Sequence, residues 1–280
     1  MIINYPIYDN IKIKDYLSKF YISKSKIYKL FLNKQILINN HIANENDLLK
    51  KGDILSIDFN ENIDYKPSSN NINILFEDDY FLIVNKKRGI IIHDDTNSLC
   101  NDIAKYYYDN GITLTIKYPN RIDKDTSGIM IFCKDMLTHS YMNHLYESHD
   151  IVKEYQLFVN GKLKNKKGII TYRIGKDRHI SGKMRVSSTG VDAITEYKVI
   201  KEYDNYSLVK CNIKTGRTHQ IRVHMSYLGN PILGDKLYGD NSSYSNNLLL
   251  HHSKVEFIHP IYNEKIEIIC DLPIDMKELY

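Results

Sequence analysis

The sequence predicts a chain of mixed α and β structure in which strands outnumber helices. Three observations point there. Short runs of bulky apolar residues, such as Ile129-Met130-Ile131-Phe132-Cys133, recur between turn-forming residues along the 280-residue chain. Few stretches carry apolar residues at helical spacing, Ile221, Met225 and Leu228 being one. A polar stretch at 60–71, with Pro67-Ser68-Ser69 inside it, reads as a linker and divides a small first unit from a larger second one.

The first unit runs from about Lys12 to Phe59. Ser23 is placed to cap a helix, with Ile22 and Ile27 at the staple positions and Ile27, Leu30 and Phe31 forming its apolar stripe. Strands follow at Ile36-Leu37-Ile38-Asn39 and from Gly52 to Ile57, with a turn at Asn39-Asn40-His41. Between Lys12 and Lys34 stand seven lysines against one acid, Asp15. Lys24 and Lys26 are the candidates for phosphate contact on the helix.

In the second unit, Ile74-Leu75-Phe76 and Phe81 to Lys86 make a hairpin across the Glu77-Asp78-Asp79 turn. Leu99, Ile103 and Tyr106 are spaced for a helix. Next comes Asn120-Arg121-Ile122-Asp123-Lys124-Asp125-Thr126-Ser127-Gly128, a polar turn at the mouth of an apolar strand, where active sites are often built. Asp123, between Arg121 and Lys124 and within reach of Thr126 and Ser127 as hydrogen-bond donors, should remain an ionised carboxylate. Gly128 lets the backbone approach something closely.

Asp135 is placed to cap a helix carrying Leu137, Tyr141 and Leu145 on one face. In the strand that follows, Val152 to Val159, the odd positions from Tyr155 onward should share one face. The segment Lys162–Arg185 holds nine Lys or Arg against the single acid Asp177, a charge of +8 that leaves −4 for the rest of a chain whose net charge is +4. Charge so concentrated suits a phosphate-tracking surface. We read the segment as an extended hairpin projecting onto nucleic acid, with Lys164, Lys166, Lys167, Arg178 and Lys183 as contacts. Strands follow at Ala193–Val199 and Ser207–Cys211.

In Thr215-Gly216-Arg217-Thr218-His219-Gln220-Ile221-Arg222-Val223-His224-Met225, a helix runs on to Gly229, capped by Thr218 or Thr215. Arg217 then stands at a positively polarised helix N-terminus, which calls for a carboxylate or phosphate beside it.

Together these segments resemble the RNA pseudouridine synthases of the RluA/RluD family. That family usually reads His-Arg-Leu-Asp-x-x-Thr-Ser-Gly where this chain has Asn120 to Gly128, so Asn120 replaces the His and Ile122 the Leu. A Lys-x-Tyr pair matches Lys153 and Tyr155, Gly-Arg-Thr-His-Gln matches 216–220, and the segments at 234–239 and 251–260 also look like the family's. Residues 1–59 resemble an S4-type RNA-binding module through Ser23-Lys24-Ser25 and Lys51-Gly52-Asp53, although Lys34 stands where a Gly is usual. The resemblance implies an α+β fold, with a long mostly antiparallel mixed sheet and flanking helices over 72–280 and a small αβ module before it.

It further implies that the chain isomerises uridine to pseudouridine in structured RNA, ribosomal RNA being favoured. In the site so implied Asp123 is nucleophile or base, Arg217 its ion-pair partner and Tyr155 the ring against the uracil. Ile221 lines the same pocket, Arg121 fills the place of the displaced base, and Arg222 is a further RNA contact. A transfer RNA substrate, an RNA-binding protein without activity, and a hydrolase that frees uracil are the competing readings.

Composition removes other classes. No apolar run approaches the ~20 residues that span a bilayer, and the start, Met1-Ile2-Ile3-Asn4-Tyr5-Pro6, lacks a basic region before an apolar one, so a cytoplasmic protein is expected. Cys100, Cys133, Cys211 and Cys270 have no paired metal spacing and read as reduced. His219, His224, His251, His252 and His259 lack the spacing of a zinc hydrolase motif. We therefore expect no metal, no cofactor and a monomer.

Overall fold

In the computed structural model, which describes residues 1–68, 71–94, 96–240 and 244–280, the first unit is a small sheet with two helices. β1 (Ile2–Pro6) and β2 (Ile11–Lys12) lead into α1 (Ile13–Ser18) and α2 (Lys24–Leu32), followed by β3 (Ile36–Ile38), β4 (His41–Ile42), β5 (Leu48–Leu49) and β6 (Ile54–Asp58). The strand order is β1-β6-β3-β4, with β2 paired to β5. Ser23 does cap α2, accepting from the Lys26 amide at 3.4 Å. β1 carries no strong sequence signal, yet it zips antiparallel along the whole of β6.

The stretch read as a linker is tied down. Glu61 accepts from the Thr115 amide at 3.1 Å and its hydroxyl at 2.7 Å and pairs with Lys117. Asp64 accepts from the Ile116 amide at 2.9 Å, and Asn101 donates to the Lys66 carbonyl at 2.8 Å. Ser69 and Asn70 lie outside the described residues. The two units also share one hydrophobic core: Tyr5 and Tyr80 pack with ring centroids 5.5 Å apart, and Tyr80 donates to the Asn4 carbonyl at 2.6 Å.

The larger unit continues with β7 (Ile74–Glu77), β8 (Phe81–Lys86), α3 (Leu99–Asp109), β9 (Ser127–Cys133), α4 (Met136–Ser148), β10 (Val152–Asn160), β11 (Lys167–Ile170), β12 (Ile174–Lys176), β13 (Met184–Val186), β14 (Thr195–Glu202), β15 (Tyr206–Ile213), α5 (Gln220–Tyr227), β16 (Leu250–Ile258), β17 (Lys265–Ile269) and α6 (Ile274–Lys277). Nine strands form one sheet in the order β11-β14-β15-β10-β16-β9-β8-β7, with β17 on β16. Its pairings are antiparallel except β9 with β16, where Ser127 faces His251 and Gly128 faces His252. The fold is α+β.

β9 is buried at all seven positions, and a strand covered on both faces has no polar side to alternate with. That is why it reads as an unbroken apolar run. Asp135 caps α4 as expected, accepting from the Leu137 and Thr138 amides at 2.6 and 2.9 Å. The basic segment is divided: β12 and β13 pair as a separate two-stranded hairpin, while β11 joins the end of the main sheet against β14. Lys164, Lys166 and Lys167 are therefore not on the projecting hairpin that carries Arg178 and Lys183 in its turn, and Lys166 is engaged with Glu202.

Candidate active site

The polar turn ends where β9 and β16 run side by side, near the middle of the sheet. Gly128 has φ +112°, and a Cβ there would lie 2.3 Å from the His252 carbonyl oxygen. The close approach expected of this glycine is thus to the backbone of β16, and it brings the turn against the sheet. Beneath the turn, the fully buried Lys86 donates to the carbonyls of Lys87, Ile90 and Lys124 at 3.1, 2.9 and 2.9 Å. Burial pushes this ammonium down to about 8. The Lys124 carbonyl also receives the Gly89 amide at 2.9 Å, so the base of the turn is held at two points.

Thr126 and Ser127 do not serve the Asp123 carboxylate. The Thr126 amide donates to the Asp123 backbone carbonyl at 3.1 Å, closing the turn. The Ser127 hydroxyl lies 2.9 Å from His251 Nδ1, whose Nε2 is 3.2 Å from the Cys270 carbonyl. Since a carbonyl only accepts, His251 is protonated on Nε2 and Ser127 is the donor. Burial pushes His251 down to about 4, which keeps it neutral.

Asp123 faces α5. The ion pair expected between Asp123 and Arg217 is absent: the exposed Arg217 donates through Nε to the Asp192 carbonyl at 2.9 Å, and its amide donates to Gln220 Oε1 at 3.1 Å. Arg222 takes that place, with Nη1 3.5 Å from Asp123 Oδ2. Its other edge is bidentate on Asp235, Nε to Oδ2 and Nη2 to Oδ1, both 2.8 Å. The physical reason is where the helix begins. Neither Thr215 nor Thr218 caps it: the N-cap is His219, in left-handed backbone at φ 57°, and Thr215 instead donates to Gln220 Oε1 at 2.7 Å. Starting at Gln220, the helix turns Arg222 inward and leaves Arg217 on the approach loop.

His219 is the second group on Asp123, its Nε2 3.8 Å from Oδ2. Tyr238 receives the Met184 amide at 2.9 Å and lies 2.8 Å from His219 Nδ1. With Tyr238 donating to Nδ1, Nε2 carries the proton that points towards the carboxylate. Burial and the neighbouring guanidinium hold His219 below its ordinary value against the pull of Asp123. Arg222 lies over the Tyr238 ring, 5.0 Å from its centroid.

The third wall is β10. Lys153, Tyr155 and Leu157 are its buried alternate positions. Tyr155 stacks on His252, centroids 4.5 Å apart and planes at 12°. His252 Nδ1 donates to the Ile129 carbonyl at 2.8 Å, and burial pushes the ring down to about 4, so an uncharged imidazole backs the phenol. Burial, reinforced by Asp123, drives the Tyr155 hydroxyl well above its ordinary value, and it has no protein hydrogen-bond partner among the described residues.

These walls enclose a cavity of ≈ 1060 Å³, lined by Asp123, Tyr155, Arg217, Arg121, Ile221 and Arg222 among others. That volume reaches the upper end of small-molecule sites and leaves room beyond one nucleoside. All six are residues named from the sequence. Lys24, Lys26, Lys164, Lys166, Lys167, Arg178 and Lys183 do not line it. Asn120, where the family has His, lines the cavity with a buried carbonyl oxygen that has no partner among the described residues and an amide 3.9 Å from the Met130 sulfur.

The sequence reading missed the pairing role of Arg222 and any role for His219, Asp235 and Tyr238. Residues 234–239 stood out as a motif, yet nothing in their spacing said that they fold back on α5. Among the described residues no group of His, Cys, Asp and Glu is arranged to hold a metal, and no helix is long and apolar enough to cross a membrane. The four cysteines are free and buried.

A family model described as RNA pseudouridylate synthase matches residues 80–227, and one described as the RluD ribosomal pseudouridine synthase N-terminal domain matches residues 1–55. Among curated relatives, the uncharacterized RNA pseudouridine synthase YhcT of Bacillus subtilis (strain 168) is 39% identical over 265 residues, covering 92% of this chain and 88% of its own. The ribosomal large subunit pseudouridine synthase D of Buchnera aphidicola subsp. Schizaphis graminum is 31% identical over 288 residues, covering 94% and 91%. The solved structure of human RNA pseudouridylate synthase domain containing 4 superposes with a TM-score of 0.62 at 24% identity, covering 72% of this chain and 89% of that one, a likeness of fold.

Proposed function

This chain belongs to the RNA pseudouridylate synthase family, and on that premise we propose that it isomerises specific uridines of large-subunit ribosomal RNA with Asp123 as the reacting group. The observation that carries the assignment of Asp123 is its position in a cavity between a guanidinium held by a buried carboxylate and a buried tyrosine. The ribosomal substrate is supported by relatives named ribosomal large subunit pseudouridine synthase D and by the matched N-terminal domain. We divide the chain into an S4-like RNA-binding unit at 1–59, a connection at 60–71 and a catalytic domain at 72–280. A ribosomal RNA substrate supports a cytoplasmic location, and we take the chain to act as a monomer.

The reaction breaks the N1–C1′ bond, turns the uracil, forms a C5–C1′ bond and moves one proton from C5 to N1. Nothing is oxidised or reduced. Asp123 is the acceptor-only group available to attack the nucleotide and to receive the C5 proton. Arg222 supplies the counter-charge and fixes the direction of the carboxylate. Tyr155 acts as a neutral phenol: its ring, backed by His252, packs against the uracil, and its free hydroxyl is offered as a donor. Ile221, buried beside it, closes the apolar side of the pocket. Arg121, exposed at the cavity rim, is placed to occupy the stack that the target base leaves.

Carbodiimide treatment and primer extension on large-subunit ribosomal RNA test the reading. Cells lacking the protein should lose one or more pseudouridine stops, and purified protein should restore them on a transcript of that RNA, with no free uracil released. Stops lost only from transfer RNA would overturn the substrate assignment. Free uracil in place of a C-linked isomer of unchanged mass would make the chain a hydrolase.

A further inference from the structure

We propose that Lys153 is the seat of an RNA backbone phosphate next to the target uridine, inside the catalytic cavity; the inference rests on the reading of the chain as an enzyme acting on RNA. Lys153 lines the cavity, yet the residue is only 4% exposed. It lies two residues before Tyr155 on the same face of β10, about 6–7 Å along the strand. That sets the two side chains on one wall, their backbones about one nucleotide unit apart.

What singles it out among the described residues is that it has neither a counter-ion nor a full set of carbonyl acceptors. Its Nζ reaches the Lys214 carbonyl at 3.3 Å and the face of Tyr146 at 5.1 Å, and among the described residues it forms no ion pair. The other buried lysines are engaged differently. Lys86 is saturated by three carbonyls, and Lys134 pairs with Glu77 at 2.8 Å. Asp123 is not its partner either, since that carboxylate is faced by Arg222 and His219. Burial, then the ammonium of Lys214, pushes Lys153 down to about 8.

Burying an unpaired cation costs free energy, and such groups are retained where an anion arrives to complete them. The substrate brings one phosphate per nucleotide. Because the target base has to leave its stack to reach Tyr155, its own backbone is drawn to the cavity with it. A uracil carbonyl would satisfy one hydrogen bond but not the charge. A phosphate oxygen satisfies both.

The experiment compares wild type, Lys153→Met and Lys153→Arg on a transcript of large-subunit ribosomal RNA, reading equilibrium binding over a range of salt. Lys153→Met should weaken binding about tenfold and lower the slope of log affinity against log salt by about one, with the kinetic loss carried by KM more than by kcat. Lys153→Arg should recover most of the affinity. Unchanged affinity and slope in Lys153→Met, or an arginine variant no better than the methionine one, would overturn the proposal. A loss confined to kcat would do the same, placing Lys153 in the chemistry instead.

A second measurement leaves the protein intact: a methylphosphonate is walked through each phosphate of a short RNA spanning the modified uridine. One position beside that uridine should cost wild type about tenfold and Lys153→Met nothing. Wild type equally tight at every position would refute the assignment. Binding is read on the same transcript whether or not a uridine is converted. Absence of pseudouridine therefore counts against the activity, and unchanged affinity against Lys153.

Discussion

Arg222 Nη1 stands 3.5 Å from Asp123 Oδ2 while the opposite edge of the same guanidinium grips Asp235 with two bonds of 2.8 Å. Asp235 is fully buried, so it fixes the plane of the guanidinium and leaves one edge for the Asp123 carboxylate. A charge aimed in advance needs no reorganisation when the nucleotide arrives.

Replacing Arg222 should therefore hurt twice. Arg222→Met strips Asp123 of its counter-charge and leaves Asp235 buried and alone. We expect turnover to fall at least about a hundredfold and stability by about 3–5 kcal/mol, read by single-turnover kinetics and denaturant unfolding. Arg217→Ala removes only an exposed hydrogen bond to the Asp192 carbonyl and should cost turnover less than about tenfold. The reverse order of effects would return the pairing role to Arg217.

Asp123→Asn keeps the shape of the turn, because the closing bond runs from the Thr126 amide to the backbone carbonyl of residue 123, not to its side chain. Conversion should vanish while RNA affinity stays within a few fold. Substantial residual turnover in primer extension would sink the role given to Asp123.

Gly128→Ala should be among the most damaging single-methyl additions in the chain. The backbone is left-handed at φ +112°, and the new Cβ would stand 2.3 Å from the His252 carbonyl oxygen. A loss of about 3 kcal/mol or more follows from strain and displaced backbone, read as a shift of the denaturation midpoint. A midpoint equal to wild type would show that β16 can step aside.

Stability should fall as the pH drops from about 6.5 to about 4. His251 and His252 are held neutral by burial, both pushed down to about 4, whereas in the unfolded chain they take up protons near their ordinary value. The unfolded state thus binds more protons throughout that window, and each ring contributes up to about 3 kcal/mol of lost stability. His252→Phe keeps a ring against Tyr155 and removes one titrating group, so its stability should decline less steeply between pH 6.5 and pH 4. Equal slopes would exclude His252 as a source.

Lys164→Glu combined with Lys167→Glu tests the end of the sheet, and Arg178→Glu with Lys183→Glu tests the β12–β13 hairpin. If both are phosphate contacts, each pair should weaken RNA binding and flatten its salt dependence. Affinity unchanged at every salt concentration in one pair removes that region from the RNA surface.

The polar turn, the buried strand behind it and the caps of α2 and α4 were legible in the chain itself, because each is set by neighbours a few residues apart. Ser23 and Asp135 meet amides of their own helices, and β9 reads as an apolar run because it is covered on both faces. Asp123 and Tyr155 stood out for the same local reasons, joined by the motif they resemble. Which arginine meets Asp123 depended on the residue where α5 begins. That start is set by Gln220, whose side chain binds Thr215, the Arg217 amide and the Ile194 carbonyl. The grip of Asp235 on Arg222 likewise exists only once α5 and the 234–239 segment converge. Sequence singled out the candidate reacting groups; tertiary packing decided their partners, because charge pairing acts across space between residues the chain holds far apart.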